Sequence, residues 1–262
     1  MNKQFLLLIL IVPLCTSCKI KGNTDANLNG GMVAESQPEA TQNNVDSRYI
    51  AAIFKPSQLR FIGGPEAGSP ASFAMAAKSL PDGETISFAC NGGMYLPDYR
   101  PVGLYVQDGK LLHKMSPPSN SSANYNLGFG SAKVNGIFMI DWQGKASIIQ
   151  SSSYVDVKDS IAQATQSGPI LLWDGEINPN FKEGSSNRLL RNGVGIQPDG
   201  NVVFIMAHDI CFYDFAALFC DEFQCREALF LDGVVSRMYL PTLGLSSMDG
   251  AFGVVIYVSE TI

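Results

Sequence analysis

The chain has 262 residues, with 24 acidic against 18 basic side chains and a formal charge of -6. Its body holds no run of Lys or Arg, so the electrostatic footprint of a nucleic-acid binder is missing. His113 and His208 are the only histidines and, past the Cys15-Thr-Ser-Cys18 stretch near the start, no Cys-x-x-Cys spacing occurs, which argues against a zinc site in the body; no metal or other cofactor is expected, although composition leaves an all-oxygen calcium site open.

At the start, Lys3 precedes an apolar run over 5–14, followed by Thr16, Ser17 and Cys18. One positive charge, a short apolar stretch and small residues make up a secretory signal. The run falls short of the roughly 18 to 20 residues a helix needs to cross a bilayer. Residues 1–18 are therefore expected to be removed on export. A cysteine directly after small residues is where a lipoprotein is acylated, which predicts a periplasmic or outer-membrane-anchored product whose only membrane attachment is the lipid at Cys18. Cys15 stands where a lipobox usually has Leu, and cleavage without acylation is the other reading.

Residues 19–46 are rich in Asn, Gln, Ser and Gly without hydrophobic periodicity. Such a segment cannot bury enough surface to offset its ordering entropy, and reads as a flexible tether. From 47 to 262 apolar residues recur densely, a length that one domain accommodates. Export permits disulfides, and Cys220 with Cys225 is a candidate pair, two thiols being the alternative.

Within that body the spacing predicts a helix over 71–80, then hairpins over 103–112 and 137–149 around Asp108-Gly109 and Gln143-Gly144. A second helix is predicted over 157–165, a third hairpin over 194–206 around Asp199-Gly200, and a third helix over 213–222 with Asp214 in its first turn. The nearly all-apolar stretches 228–231 and 252–258 read as buried strands. The expected fold class is α+β: a mixed, largely antiparallel sheet with helices packed on it, in a single domain.

Four segments place glycine and a polar side chain at the end of an apolar run, where strand ends hand residues to a site. Asn91 is followed by Gly92 and Gly93, which permit close backbone approach; a plain turn has the same composition. Ser167 and Gly168 introduce a strand. Arg188 and Arg191 precede another, and an arginine held there offers a rigid donor fork to phosphate or carboxylate; a salt-bridged surface arginine is the alternative. Asp232 ends an apolar strand just before Gly233, a placement that suits a reacting carboxylate and equally one that caps a turn. His208 also follows a strand, as a candidate base or a surface polar group. Tyr95, Tyr213 and Tyr239 can stack on a sugar ring or pack in the core.

Taken in order, Asn91-Gly-Gly-Met-Tyr95, Gly168-Pro169, Arg191-Asn-Gly-Val-Gly-Ile196, Phe212-Tyr-Asp-Phe-Ala-Ala-Leu-Phe219 and Leu231-Asp-Gly-Val-Val-Ser236 resemble the phosphodiester glycosidase domain, also called the N-acetylglucosamine-1-phosphodiester alpha-N-acetylglucosaminidase domain. Val234 and Val235 depart from it where the family form has glycines. The resemblance implies hydrolysis of the glycosidic bond of a sugar-1-phosphodiester, with that compound or a glycan as partner. On this reading Asp232, Arg191 and Asn91 are catalytic, with Arg191 gripping the phosphate. Gly92, Gly93, Arg188, Ser167, Gly168, Asn192, Gly233, Ser236 and His208 line the substrate. The alternative is an envelope lipoprotein that keeps the fold and binds carbohydrate without turnover.

Overall fold

A computed structural model describes residues 31–35, 48–64, 66, 68–116 and 134–262. The expected signal segment 1–18, Cys18 and most of 19–46 lie outside the described residues. In chain order come β1 (Gly31–Glu35), β2 (Tyr49–Phe54), β3 (Arg60–Gly63), α1 (Phe73–Lys78), β4 (Glu84–Asn91), β5 (Tyr105–Gln107) and β6 (Lys110–His113). Next are β7 (Gly136–Asp141), β8 (Ala146–Gln150), α2 (Tyr154–Val157), β9 (Ile161–Ser167), β10 (Ile170–Trp173) and β11 (Glu176–Ile177). The chain closes with β12 (Leu189–Ile196), β13 (Val202–Ile210), α3 (Phe212–Ala217), β14 (Glu227–Asp232), β15 (Met238–Tyr239) and β16 (Val254–Thr261).

The three expected hairpins form as β5–β6, β7–β8 and β12–β13. Their turns show why. Asp108 and Gly109 both take positive φ, 50° and 72°, the twist that a two-residue hairpin loop requires. In the β7–β8 turn the Asp141 Oδ1 accepts from the N–H groups of Gln143 and Lys145 at 2.9 Å each, which locks the reversal. A fourth hairpin, β10–β11, turns at Asp174 (φ 52°) and Gly175 (φ 83°), an Asp-Gly pair of the same kind.

The strands form three sheets rather than the one expected. Seven strands run β1-β2-β13-β12-β14-β10-β11, four run β15-β4-β16-β3, and five run β6-β5-β9-β7-β8. The β1–β2 pair is parallel and the other pairings among the described residues are antiparallel, so the sheets are mixed and largely antiparallel. The main core, with Phe54, Phe88, Phe138, Phe204, Leu229 and Leu231, draws on all three sheets. Sheets thus cover one another, and helices play a smaller part than the α+β expectation gave them. Ser72 caps α1 by accepting from Met75 N at 3.1 Å, and α1 covers Ile86 and Val255 of the four-stranded sheet. On the seven-stranded sheet, α3 and the π-helical turn that follows it (Leu218–Glu222) seat Phe215 and Phe219 against Val203, Ile205 and Phe230.

Two expectations fail locally. The helix foreseen over 157–165 is instead one helical turn, a 3-10 segment and then strand β9. Its alanines favour helix, but β9 is the central strand between β5 and β7, and tertiary pairing overrides local propensity. Likewise β1 lies inside the stretch read as a tether, because the open edge of β2 supplies its hydrogen-bond partners.

Candidate active site

The three sheets meet at one place, and Asp232 stands there. β4 ends in Asn91, which is 1% exposed. Across the sheet interface lies Asn192 of β12, whose Nδ2 donates to both Asn91 Oδ1 and Asn91 O at 3.1 Å. The Asn192 Oδ1 in turn accepts from the backbone N–H of Asp232 at 2.7 Å. Asn91 Oδ1 takes a second bond, from the N–H of Arg237 at 3.0 Å. Two buried amides therefore pin both ends of the loop from Asp232 to Arg237. Burying such groups is costly unless they are bonded, and here the bonds fix the loop that carries the carboxylate.

The five-stranded sheet supplies the third side. Gly93 N–H donates to Thr165 Oγ1 at 3.2 Å, and a Cβ on Gly93 would lie 2.5 Å from Gln166 O, so only glycine permits this approach. Ser167 Oγ donates to Leu231 O at 2.7 Å, supporting the strand one residue before Asp232. The adjoining Gly168-Pro169 peptide is cis, and Gly168 is buried.

The Asp232 carboxyl accepts from Gly233 N at 2.7 Å and has no ion-pair partner among the described residues. Burial raises its pKa to about 6, opposed only by that Gly233 bond. Beside it, Tyr95 donates its hydroxyl to Ala251 O at 2.8 Å and stacks on Tyr99 with ring centroids 5.9 Å apart. Burial first, then the charges of Asp232 and Tyr99, push the Tyr95 phenol up to about 12, while Arg237 pulls it down. Asp232 and Arg237 form no ion pair with each other.

Several expected site residues are elsewhere. Arg191 was foreseen as the phosphate grip, but successive strand side chains point to opposite faces, and with Asn192 turned to the sheet interface Arg191 lies on the α3 face. There its guanidinium sits 3.7 Å above the Phe212 ring. Its Nε donates to Ile210 O at 2.8 Å and its Nη2 to Asn187 O at 3.0 Å, and it is 2% exposed. Burial lowers its pKa to about 10. These are the contacts of a scaffold residue. Arg188 is also engaged, donating to Asp214 Oδ2 at 2.9 Å with Asp209 Oδ1 3.6 Å from its Nε. His208 is exposed, with its backbone N–H on Arg48 O, and makes no hydrogen bond or ion pair to the Asp232 group. Asn91, Asn192 and Ser167 do surround Asp232, and their buried polar atoms are spent on holding the segment that carries it.

Arg237, which was not among the expected site residues, also joins this group through its N–H on Asn91 Oδ1. It follows Asp232 by five positions, in the stretch Ser236-Arg-Met-Tyr-Leu-Pro241.

A carboxylate at a strand end thus stands where three sheets meet, its loop held by an asparagine pair, on a sheet-dominated fold. The phosphodiester glycosidase family model matches residues 84–252, a span that includes Asn91, Asn192, Asp232 and Arg237. The chain belongs to that family. It is 33% identical over 156 residues to the uncharacterized protein YigE of Escherichia coli (strain K12), across 59% of this chain and 58% of that one; it thus spans little more than half of that relative. Its fold is similar to the zebrafish N-acetylglucosamine-1-phosphodiester alpha-N-acetylglucosaminidase catalytic domain, solved auto-inhibited by its pro-peptide, at TM-score 0.58 and 15% identity over 84% of this chain and 86% of that one. A hypothetical protein from Synechocystis aligns at TM-score 0.50 and 11% identity, over 80% and 58% of the two chains.

Proposed function

We propose that this chain hydrolyses the glycosidic bond of a sugar-1-phosphodiester, of the N-acetylglucosamine-1-phosphodiester kind, at the cell envelope. The observation that carries the reading is Asp232, a partly buried carboxylate without a cation partner whose pKa of about 6 lies close to neutrality. Family membership supports the same reaction class.

A phosphate is a good leaving group, so the reaction asks little of a general acid and more of a carboxylate at the anomeric carbon. In direct displacement, ionised Asp232 takes a proton from water as the water oxygen bonds to the anomeric carbon. The bond from that carbon to the phosphate oxygen breaks, and its electron pair leaves with the phosphomonoester. In the two-step form Asp232 itself bonds to the anomeric carbon and water releases the sugar. The anomeric configuration of the first-formed sugar distinguishes the two. Tyr95 and Tyr99 form the aromatic wall against which a sugar ring can lie.

The test is release of free N-acetylglucosamine from N-acetylglucosamine-1-phosphate methyl diester by the purified chain and by Asp232→Asn. We expect the variant to be slower by roughly a thousandfold; equal rates would remove Asp232 from the mechanism. A carbohydrate-binding protein without turnover is the second reading, favoured by Val234 and Val235, which stand exposed beside Asp232 where the family form has glycines; saturable sugar binding with no release by wild type would select it. Envelope placement rests on the signal-like start and Cys18. Intact mass of the mature protein tests it, since a product beginning beyond Cys18, or one without acyl chains, rules out the lipid anchor.

A further inference from the structure

We infer that Arg237 is the phosphate-binding residue of this site. The inference rests on the reading above for the identity of the substrate, and on geometry for the anion.

Of the arginines near this end of the seven-stranded sheet, Arg191 is buried on backbone carbonyls and Phe212, and Arg188 is paired with Asp214 and Asp209. Arg237 has no carboxylate partner among the described residues and is exposed. Its side chain makes one bond, from Nη1 to Ser236 O at 3.0 Å, which leaves most of the donor fork to a ligand. Its backbone is nonetheless fixed, because its N–H is held by buried Asn91 Oδ1. A cation on an anchored backbone is placed in advance of binding.

Asp232 and Arg237 stand at the two ends of one loop held by the joined amides of Asn192 and Asn91 and form no ion pair with each other, so the loop carries a negative charge at one end and a positive charge at the other. A sugar-1-phosphodiester presents the same polarity. Positive charge develops at the anomeric carbon, to be met by Asp232, and the phosphate one bond further on carries the negative charge, to be met by Arg237. Between the two along the loop, Ser236 Oγ is the one buried side-chain polar atom among the described residues that makes no hydrogen bond within the protein.

The experiment titrates inorganic phosphate into wild type, Arg237→Ala, Arg237→Lys and the surface control Lys110→Ala by calorimetry, with KM and kcat for the methyl diester measured in parallel. Loss of one charged donor set weakens phosphate binding by roughly ten- to a hundredfold. The expected result is that loss in Arg237→Ala, partial recovery in Arg237→Lys, no change in Lys110→Ala, and a rise in KM larger than any fall in kcat. Phosphate affinity that is equal in wild type and Arg237→Ala, or immeasurable in wild type, overturns the assignment. Diester turnover with an Arg237-independent KM overturns it while leaving the hydrolase reading intact. Arg237-dependent phosphate binding without turnover supports the anion site and removes the hydrolase reading instead.

Discussion

Asp232 holds its proton more tightly in the folded chain than an ordinary aspartate, because burial costs its charged form more than the Gly233 N–H returns. Since the folded pKa is the higher of the two, folding is favoured while the group is protonated in both states, and this stability is lost as pH rises from 3.8 to about 6. A shift of that size corresponds to on the order of 3 kcal/mol as an upper bound. Asp232→Asn removes the charge and keeps an acceptor for Gly233. Urea denaturation should therefore find the variant more stable than wild type at pH 8 and level with it near pH 3.5; a variant less stable at pH 8 refutes the buried-charge account. The same group dates the activity: kcat/KM for the methyl diester should rise with pH through an apparent pKa near 6 and then level off, as an ionised carboxylate requires, whereas a falling limb there means that the protonated form reacts.

The loop from Asp232 to Arg237 takes its shape from its supports rather than from its own residues. It is hung on Asn192 Oδ1 at one end and Asn91 Oδ1 at the other, with the two amides joined by their own bond. Asn192→Ala removes the first support and half of the bridge, leaving Asp232 N–H and Asn91 Oδ1 short of partners in a buried place. That change should cost about 2 kcal/mol of stability and lower kcat more than it raises KM. Hydrogen exchange at the Asp232 and Arg237 amides should quicken more than at the β7–β8 ladder. Uniform acceleration across all sheets points to general destabilisation instead. Neighbouring Arg191 illustrates the opposite case. Its donor fork made it the evident phosphate ligand in the sequence, yet a one-residue step along β12 turns it to the α3 face, where it joins Asn187 and Ile210 through their carbonyls.

Across the whole molecule, the legible parts were those decided by neighbours in sequence. Asp108-Gly109 and Asp199-Gly200 announce reversals because few residues accept the backbone angles of a tight turn. The apolar run ending at Asp232 announces a strand end with a carboxylate on it, and the ordered motifs pointed to the family that the residues 84–252 match confirms. The partnership of three sheets, the strand β9 where a helix was expected over 157–165, and the turning of Arg191 away from Asp232 were not legible. β9 is a strand because β5 and β7 flank it, and Gly93 is required because Gln166 passes within a Cβ's reach. Asn91 meets Asn192 and Arg237 over separations of 101 and 146 residues, and such contacts depend on which strands pair and in which register. The sequence by itself determined the turns, the strand-end aspartate and the family. Only the tertiary structure decided which side chains face the site, because the face a strand residue takes is set by pairing across the sheet, and one residue of register exchanges a buried scaffold for a reacting group.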